Sequence, residues 1–291
     1  LELGGLKVRL CGGDDGDGAG EGLLVVLLHG FGAPGTDLVP LADEIIAPKG
    51  TRFAFPEAPH RLPADMGDGR CWWMIDMMAL QLAMITGSLR DLSQQEPEGL
   101  AAAREKLLAM LTAMKTELGM TPEKTVLGGF SQGAMLSCDV ALMAPESWAG
   151  LALMSGTLLA EARWREQLAS IPTQPPVIQS HGRQDPLLSF AAAERLRDLL
   201  VESGFPVTWS AADDLENFAT ALRSEGYYGY RLSYEIDDGT DPVLVTVEVE
   251  TGPVFTLESY EVIYSGGGQP PSADAAALSA LGLELGMKAR A

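Results

Sequence analysis

The sequence predicts a protein of the α/β class, with a mainly parallel sheet flanked by helices, followed by a smaller α+β segment. Short apolar runs alternate with helical patterns as far as about residue 209, which is typical of βα units. The charge balance changes at the same place, because residues 1–209 carry 16 basic and 26 acidic residues whereas residues 210–291 carry 4 and 14. We therefore predict two domains, at residues 1–209 and residues 213–291.

The elements of the first domain follow from the spacing of its apolar residues. Residues 23–28 (LLVVLL) are too few for a buried helix and predict a central strand that is buried on both faces. Further strands are predicted at residues 52–55, 125–130, 151–154, 176–179 and 207–209. Helices are predicted at residues 37–47, 100–118, 134–142 and 190–203. The helix at 100–118 has one apolar stripe, formed by Leu100, Ala103, Leu107, Leu111, Met114 and Leu118, and Gly119 predicts its end.

The second domain shows a different pattern. Valine at every second position over residues 243–249 predicts a half-buried strand, paired antiparallel with residues 230–236 through a turn at 237–239. A helix is predicted at 215–226, a third strand at 254–264, a linker at 265–273 and a short amphipathic helix at 278–287.

Composition excludes several classes of function. The net charge of −20 would repel phosphate backbones, so we expect no nucleic-acid partner. No apolar run is long enough for a transmembrane helix. The three cysteines form neither a disulfide framework nor a metal-ligand cluster, and we expect no metal and no cofactor. No signal peptide precedes the first domain, which predicts a cytoplasmic location, or a periplasmic one if a signal sequence has been lost.

Three motifs at predicted strand ends carry the chemistry. Residues 129–133 read Gly-Phe-Ser-Gln-Gly between a strand and a helix, which predicts a nucleophile elbow with Ser131 exposed at the turn. The His-Gly-Phe-Gly loop at 29–32 could aim the Phe31 N–H, together with that of Gln132, at an oxyanion. Asp185 follows a later strand, which suits the acid of a Ser…Asp…His order.

These motifs stand in an order that closely resembles the phospholipase/carboxylesterase family, α/β-hydrolases that include acyl-protein thioesterases. The resemblance covers about residues 5–209. It rests on LLHGFGAPGTDLVPLA (27–42), FPEAPHRLP (55–63), WWMID (72–76), GGFSQGAMLS (128–137), LMSGTL (153–158) and SHGRQDPLL (180–188).

The resemblance implies a serine carboxylesterase or acyl-thioesterase that hydrolyses a small-molecule ester or thioester with a short or medium acyl chain. Ser131 would be the nucleophile, Asp185 the acid of the triad, and Phe31 with Gln132 the oxyanion hole. Trp72 and Trp73 would line the substrate pocket.

The chain departs from that family at the general base. The family's histidine should fall near residues 215–218, which read Leu-Glu-Asn-Phe, and no histidine follows His181. His60 and His181 match other family positions, and a carboxylate such as Asp213 or Glu216 is a poor acceptor for a serine proton. We therefore expect impaired hydrolysis.

Beyond this departure, the chain resembles the polypeptide-transport-associated (POTRA) repeats of outer-membrane translocation and assembly proteins. The matching segments are 215–237, 241–262 and 281–291, which together contain no whole repeat. The resemblance implies an alternative function, a non-catalytic binding or assembly module that contacts outer-membrane proteins through its C-terminal strands. A further alternative is an inactive fusion of two gene fragments, and we favour an unnatural or recent junction over a natural one.

Overall fold

A computed structural model of the chain describes residues 1–63, 67–76, 78, 92–169, 171–183, 185 and 187–211, and the backbone of residues 231–237 and 244–250. The chain divides into two compact units, Leu1–Ala211 and Ala212–Ala291. None of the described helices combines the length and apolar character needed to cross a membrane.

The first unit is built on an eight-stranded sheet with the strand order β1-β2-β4-β3-β7-β8-β9-β10. Strands β4, β3, β7, β8, β9 and β10 all run parallel to one another. Strand β2 is antiparallel to both β4 and β1. The bounds are β1 Glu2–Leu3, β2 Leu6–Gly12, β3 Leu24–Leu28, β4 Arg52–Pro56, β7 Thr125–Phe130, β8 Gly150–Met154, β9 Val177–His181 and β10 Val207–Ala211. A small antiparallel pair, β5 His60–Arg61 and β6 Arg70–Cys71, lies outside this sheet. The predicted α/β sheet flanked by helices is thus confirmed.

The helices on this sheet are α1 Leu41–Glu44, α2 Leu100–Leu118, α3 Gln132–Met143, α4 Glu161–Leu168 and α5 Phe190–Glu202. The stripe predicted for α2 is buried at Leu100, Ala103, Leu107, Leu111 and Met114, and Leu118 packs at its margin. The helix ends at Gly119, whose φ of 61° is left-handed as the glycine predicted.

The helix predicted at residues 37–47 is wrong in extent. The structure contains only the short helix α1, preceded by turns, and Ile46 is fully exposed. Pro40 explains the difference, because proline lacks an N–H and is tolerated at a helix start but not in its interior. Pro40 indeed occupies the position before the first helical residue. The strands β1 and β2 and the helix α4 were not predicted.

In the second unit, the described backbone forms β11 Arg231–Asp237 and β12 Leu244–Glu250, an antiparallel pair in which Arg231 pairs with Glu250 and Asp237 with Leu244. The predicted strands, 230–236 and 243–249, are therefore each one residue early. The other elements predicted beyond residue 211 lie outside the described residues, and so does most of the POTRA-like pattern.

Hydrogen bonds to the buried carboxylate of Asp139 join three helices. The Arg104 Nε on α2 donates to Asp139 Oδ2 on α3 at 2.6 Å, and the indole N–H of Trp164 on α4 donates to Asp139 Oδ1 at 3.0 Å. Asp139 is only 1% exposed. Each carboxylate oxygen therefore has a donor, as a buried charge requires.

We expect Asp139→Ala to lower the free energy of unfolding by about 3–5 kcal/mol, because it leaves the buried Arg104 charge with only its longer ion pair to Glu96, 3.5 Å from Nη2. Denaturant unfolding measures this change. Glu202→Ala is the control, since it removes an ion pair with Arg165 in which both side chains are exposed, and it should change the free energy of unfolding by less than about 1 kcal/mol. Equal effects would contradict the role of the buried pair.

Candidate functional site

Ser131 lies in the sharp turn between β7 and α3. Its φ of 52° and ψ of −114° place it in a region that residues other than glycine rarely adopt. The turn is held by the Ser131 N–H, which donates to Met154 O at 2.8 Å, and by the Met135 N–H, which donates to Ser131 O at 3.1 Å. The strained backbone is that of a nucleophile elbow, which presents its side chain at the edge of the sheet.

Two glycines allow this turn because they lie almost in contact with the neighbouring strand β3. A Cβ on Gly129 would lie 2.4 Å from Leu28 O, and a Cβ on Gly133 would lie 2.1 Å from the same oxygen. Both distances are far below van der Waals contact. Glycine on each side of this turn is therefore a steric requirement.

The two candidate oxyanion donors meet at this edge. Phe31 follows β3 and Gln132 begins α3, and β3 and β7 are parallel neighbours that pair Leu28 with Gly129. Within the described part of the chain, neither the Phe31 N–H nor the Gln132 N–H has a hydrogen-bond acceptor. Two such donors beside a serine can bind the negative oxygen of a tetrahedral intermediate.

The Gln132 side chain, unlike its backbone N–H, binds the backbone of Trp72 and Trp73 and so holds their loop in place. Its Oε1 accepts from the Trp72 N–H, and its Nε2 donates to Trp73 O, both at 2.8 Å. Trp73 is thereby brought to the cavity beside Ser131. Trp72 is not: its indole is fully buried and donates to His29 O at 3.0 Å. The structure therefore does not place Trp72 in the substrate pocket as the resemblance implied.

The cavity at Ser131 has a volume of about 100 Å³. Apart from Ser131 and Gln132, its described lining is entirely apolar: Phe31, Trp73, Ile75, Leu92, Met135, Leu187 and Leu188. Sequence reasoning missed five of these residues. Two signals could have found three of them, since Met135 lies one helical turn after Ser131, and Leu187 and Leu188 directly follow the loop of Asp185.

Asp185 lies beyond the carboxyl end of β9, at the same edge of the sheet as Ser131. Its Oδ1 accepts hydrogen bonds from the N–H groups of Leu187 and Leu188, at 2.8 and 2.9 Å. Its Oδ2 is 3.7 Å from the Nε2 of His181. The loop thus fixes one carboxylate oxygen through the backbone of two residues that also line the cavity.

None of the three histidines is placed as a general base for Ser131. The His181 side chain is fully buried below Asp185, with Nε2 3.2 Å from Leu188 O, and His60 is exposed on β5. His29 is buried with both ring nitrogens engaged: Nδ1 is 2.8 Å from Gly30 O, and Nε2 accepts from the Ala58 N–H at 3.1 Å. Burial lowers the pKa of the His29 imidazole, which keeps it neutral. Residues 215–218 lie outside the described residues.

The cysteines do not provide an alternative nucleophile. Burial raises the pKa of Cys71 to about 11 and raises the pKa of Cys11 and Cys138 as well, so all three remain thiols near neutral pH. Among the described residues, no group of three His, Cys, Asp or Glu side chains could hold a metal ion.

Comparisons with known proteins find similar sequences and a similar fold. Residues 19–215 match the family described as Phospholipase/Carboxylesterase. A relative in Oryza sativa subsp. japonica, named a probable carboxylesterase, is 30% identical over 64% of this chain and 68% of its own. Acyl-protein thioesterase 1 of Schizosaccharomyces pombe is 26% identical over 59% of this chain and 74% of its own. The crystal structure of esterase PE8 is similar with a TM-score of 0.60 and 27% identity, covering 76% of this chain and 98% of that one.

We expect Gly133→Ala to destabilise the protein by about 3 kcal/mol, because the added methyl group would clash with backbone atoms of Leu28 that cannot move away. Thermal or denaturant unfolding measures the loss. Gly150→Ala is the control, since its Cβ would come no closer than 3.3 Å to Pro176 O. A Gly133→Ala protein as stable as the control would contradict the steric account of the elbow.

Stability should also depend on pH through His29. Because burial lowers its pKa in the folded protein, the unfolded chain binds a proton below about pH 6.5 that the folded chain does not. The free energy of unfolding should therefore fall as the pH drops below that value, by up to about 1.4 kcal/mol per pH unit. His29→Asn should remove this slope, whatever its effect on stability at neutral pH. Parallel curves for the two proteins would contradict the prediction.

Proposed function

Because the chain belongs to the phospholipase/carboxylesterase family, we propose that it is a serine hydrolase acting on a small-molecule ester or thioester, with Ser131 as its nucleophile. One observation carries the proposal. The strained turn at Ser131 opens on an apolar cavity, and beside it lie two backbone N–H groups that have no acceptor among the described residues. We assign this activity to residues 1–209.

The proposed reaction proceeds in two steps through an acyl-enzyme. The Ser131 oxygen adds to the substrate carbonyl, and the negative oxygen that forms accepts hydrogen bonds from the Phe31 and Gln132 N–H groups. Expulsion of the alcohol or thiol leaves the acyl group on Ser131, and water then releases it as a carboxylic acid. The Ser131 proton passes to solvent, and solvent supplies the proton that the leaving group takes up. Asp185 is the carboxylate that would orient and stabilise the base of a complete triad.

The cavity limits the acyl group. Its small volume beside Ser131, about 100 Å³, favours a short acyl chain over a long one. Its described wall carries no charged side chain, which favours a neutral acyl group over an acidic one. This supports the short end of the range that the sequence resemblance implied.

The absence of a triad histidine from the sequence after His181 determines how fast the reaction runs. A triad enzyme without its histidine loses about 10⁶-fold in turnover, and keeps about 10³–10⁴-fold over water from binding and the oxyanion hole. We therefore propose that turnover is slow, and that water attacks the acyl-enzyme slowly for the same reason.

The test uses p-nitrophenyl butyrate at about pH 8, a pH at which an activated ester acylates even a weakly assisted serine. We expect steady turnover of the unmodified chain to exceed that of Ser131→Ala by no more than about tenfold. Mass spectrometry of the digested protein should nevertheless show a butyryl group on the peptide that contains Ser131. Ser131→Ala should lose this adduct.

Ser155→Ala is the matched control, because Ser155 follows β8 as Ser131 follows β7 and also has a positive φ, 51°. It should retain the adduct. No adduct in the unmodified chain would contradict Ser131 as the nucleophile. Fast turnover that depends on Ser131 would instead contradict the impairment, and would show that another group replaces the histidine.

A further inference from the structure

The loop that carries the Phe31 N–H is held in place by hydrogen bonds to the backbone of Arg70. The Gly32 N–H donates to Arg70 O at 2.8 Å, and the Arg70 N–H donates to Ala33 O at 3.0 Å. These two reciprocal bonds attach the loop of residues 30–33, which we call the oxyanion loop, to strand β6. The position of the loop therefore depends on where the Arg70 backbone lies.

The Arg70 side chain fixes that backbone to the end of β4. Its Nη1 donates to Ala58 O at 2.8 Å, and its Nη2 forms an ion pair with the Glu57 carboxylate. The Arg70 side chain is 12% exposed and that of Glu57 is 24% exposed, so solvent screens this pair only in part. Glu57 is itself attached to β2, because its N–H donates to Lys7 O at 2.7 Å.

The same residue, Ala58, also binds the loop from its other end. The Ala58 N–H donates to His29 Nε2, and His29 Nδ1 donates to Gly30 O. The Gly30 carbonyl and the Phe31 N–H belong to one planar peptide group, so a bond that fixes the carbonyl also fixes the direction of the N–H. Ala58 is thus the common support of His29 on one side of Phe31 and Arg70 on the other.

We propose that Arg70 is a positioning residue for the oxyanion hole, which acts through Gly32 and Ala33 on the Phe31 N–H. The proposal rests on the proposed function of this site. Arginine suits the task because its fork of donors can bind a carboxylate and a carbonyl at once, while the single ammonium of lysine is a point charge. Displacing a catalytic group by about 1 Å can cost 10²-fold in rate, so a support of this kind affects the chemistry without touching the substrate.

Arg52 provides a matched control for a purely structural arginine. It is 5% exposed, somewhat more buried than Arg70, and it also donates to backbone carbonyls, with Nη1 3.3 Å from Leu118 O and Nη2 3.3 Å from Gly22 O. Its contacts lie at the end of α2 and before β3, away from the oxyanion loop. Arg52→Gln should therefore lower stability without changing the loop.

The first measurement is hydrogen exchange of the free protein, followed on peptides that cover residues 29–36. We expect Arg70→Gln to speed exchange of these amides at least about tenfold, because the bond from the Gly32 N–H loses its support. Arg70→Lys and Glu57→Gln should give intermediate increases in the exchange rate. These two variants replace Arg70→Gln in the test if that variant does not fold. Arg52→Gln should leave these peptides unchanged. Equal exchange in the Arg70 and Arg52 variants would overturn the proposal.

The second measurement is binding of butylboronic acid, which tests the oxyanion hole without requiring turnover. The Ser131 oxygen donates an electron pair to boron, its proton goes to solvent, and the resulting tetrahedral anion can place one oxygen in the hole. We expect the dissociation constant to rise about 10–10²-fold in Arg70→Gln, with a smaller rise in Arg70→Lys. Arg52→Gln should bind like the unmodified chain, and Ser131→Ala should not form the adduct.

The two measurements separate failure of this proposal from failure of the proposed function. If the unmodified chain shows no Ser131-dependent boronate binding, the assignment of Ser131 fails, and hydrogen exchange still decides whether Arg70 holds the loop. If the unmodified chain binds the boronate and Arg70→Gln binds it equally well, Arg70 has no positioning role.

Discussion

The close approach of β3 to the turn between β7 and α3 is the constraint on which the rest of the site depends. Leu28 O lies where a side chain on Gly129 or Gly133 would begin, so the elbow exists only because both residues are glycine. The positive φ of Ser131 costs about 1–3 kcal/mol, which must be offset elsewhere. Helix α3 supplies the compensation, because every residue from Gln132 to Leu142 is buried in the core.

The same edge of the sheet also explains how distant segments form one site. Parallel strands end on the same side, so the loops after β3, β7 and β9 place Phe31, Ser131 and Asp185 at one edge of the sheet although they span more than half of the chain. Hydrogen bonds then fix each loop. Gln132 holds the Trp72–Trp73 backbone, His29 holds Gly30, and two backbone amides hold Asp185.

The proposed oxyanion hole and the proposed acid, Asp185, would make a preorganised site even where proton transfer is unassisted. Electrostatic stabilisation of a developing oxyanion is a separate contribution from general-base catalysis, and each can persist without the other. The network around Arg70, Glu57 and Ala58 belongs to the first contribution. It therefore retains a physical role in a chain whose sequence has no histidine beyond His181.

The sequence by itself determined the α/β sheet, the stripe of α2, the motifs at the strand ends and the missing histidine, because apolar periodicity, glycine placement and residue identity are local properties. It did not determine which side chains reach the cavity. Trp72 and Trp73 are adjacent and chemically identical, yet the Trp72 indole is hydrogen-bonded to the His29 carbonyl inside the core, whereas Trp73 lines the cavity. Neither could sequence reveal Arg70 as the support of the oxyanion loop or Met135 as part of the cavity wall. Only the tertiary structure decided these points, because they depend on contacts between residues far apart in the chain.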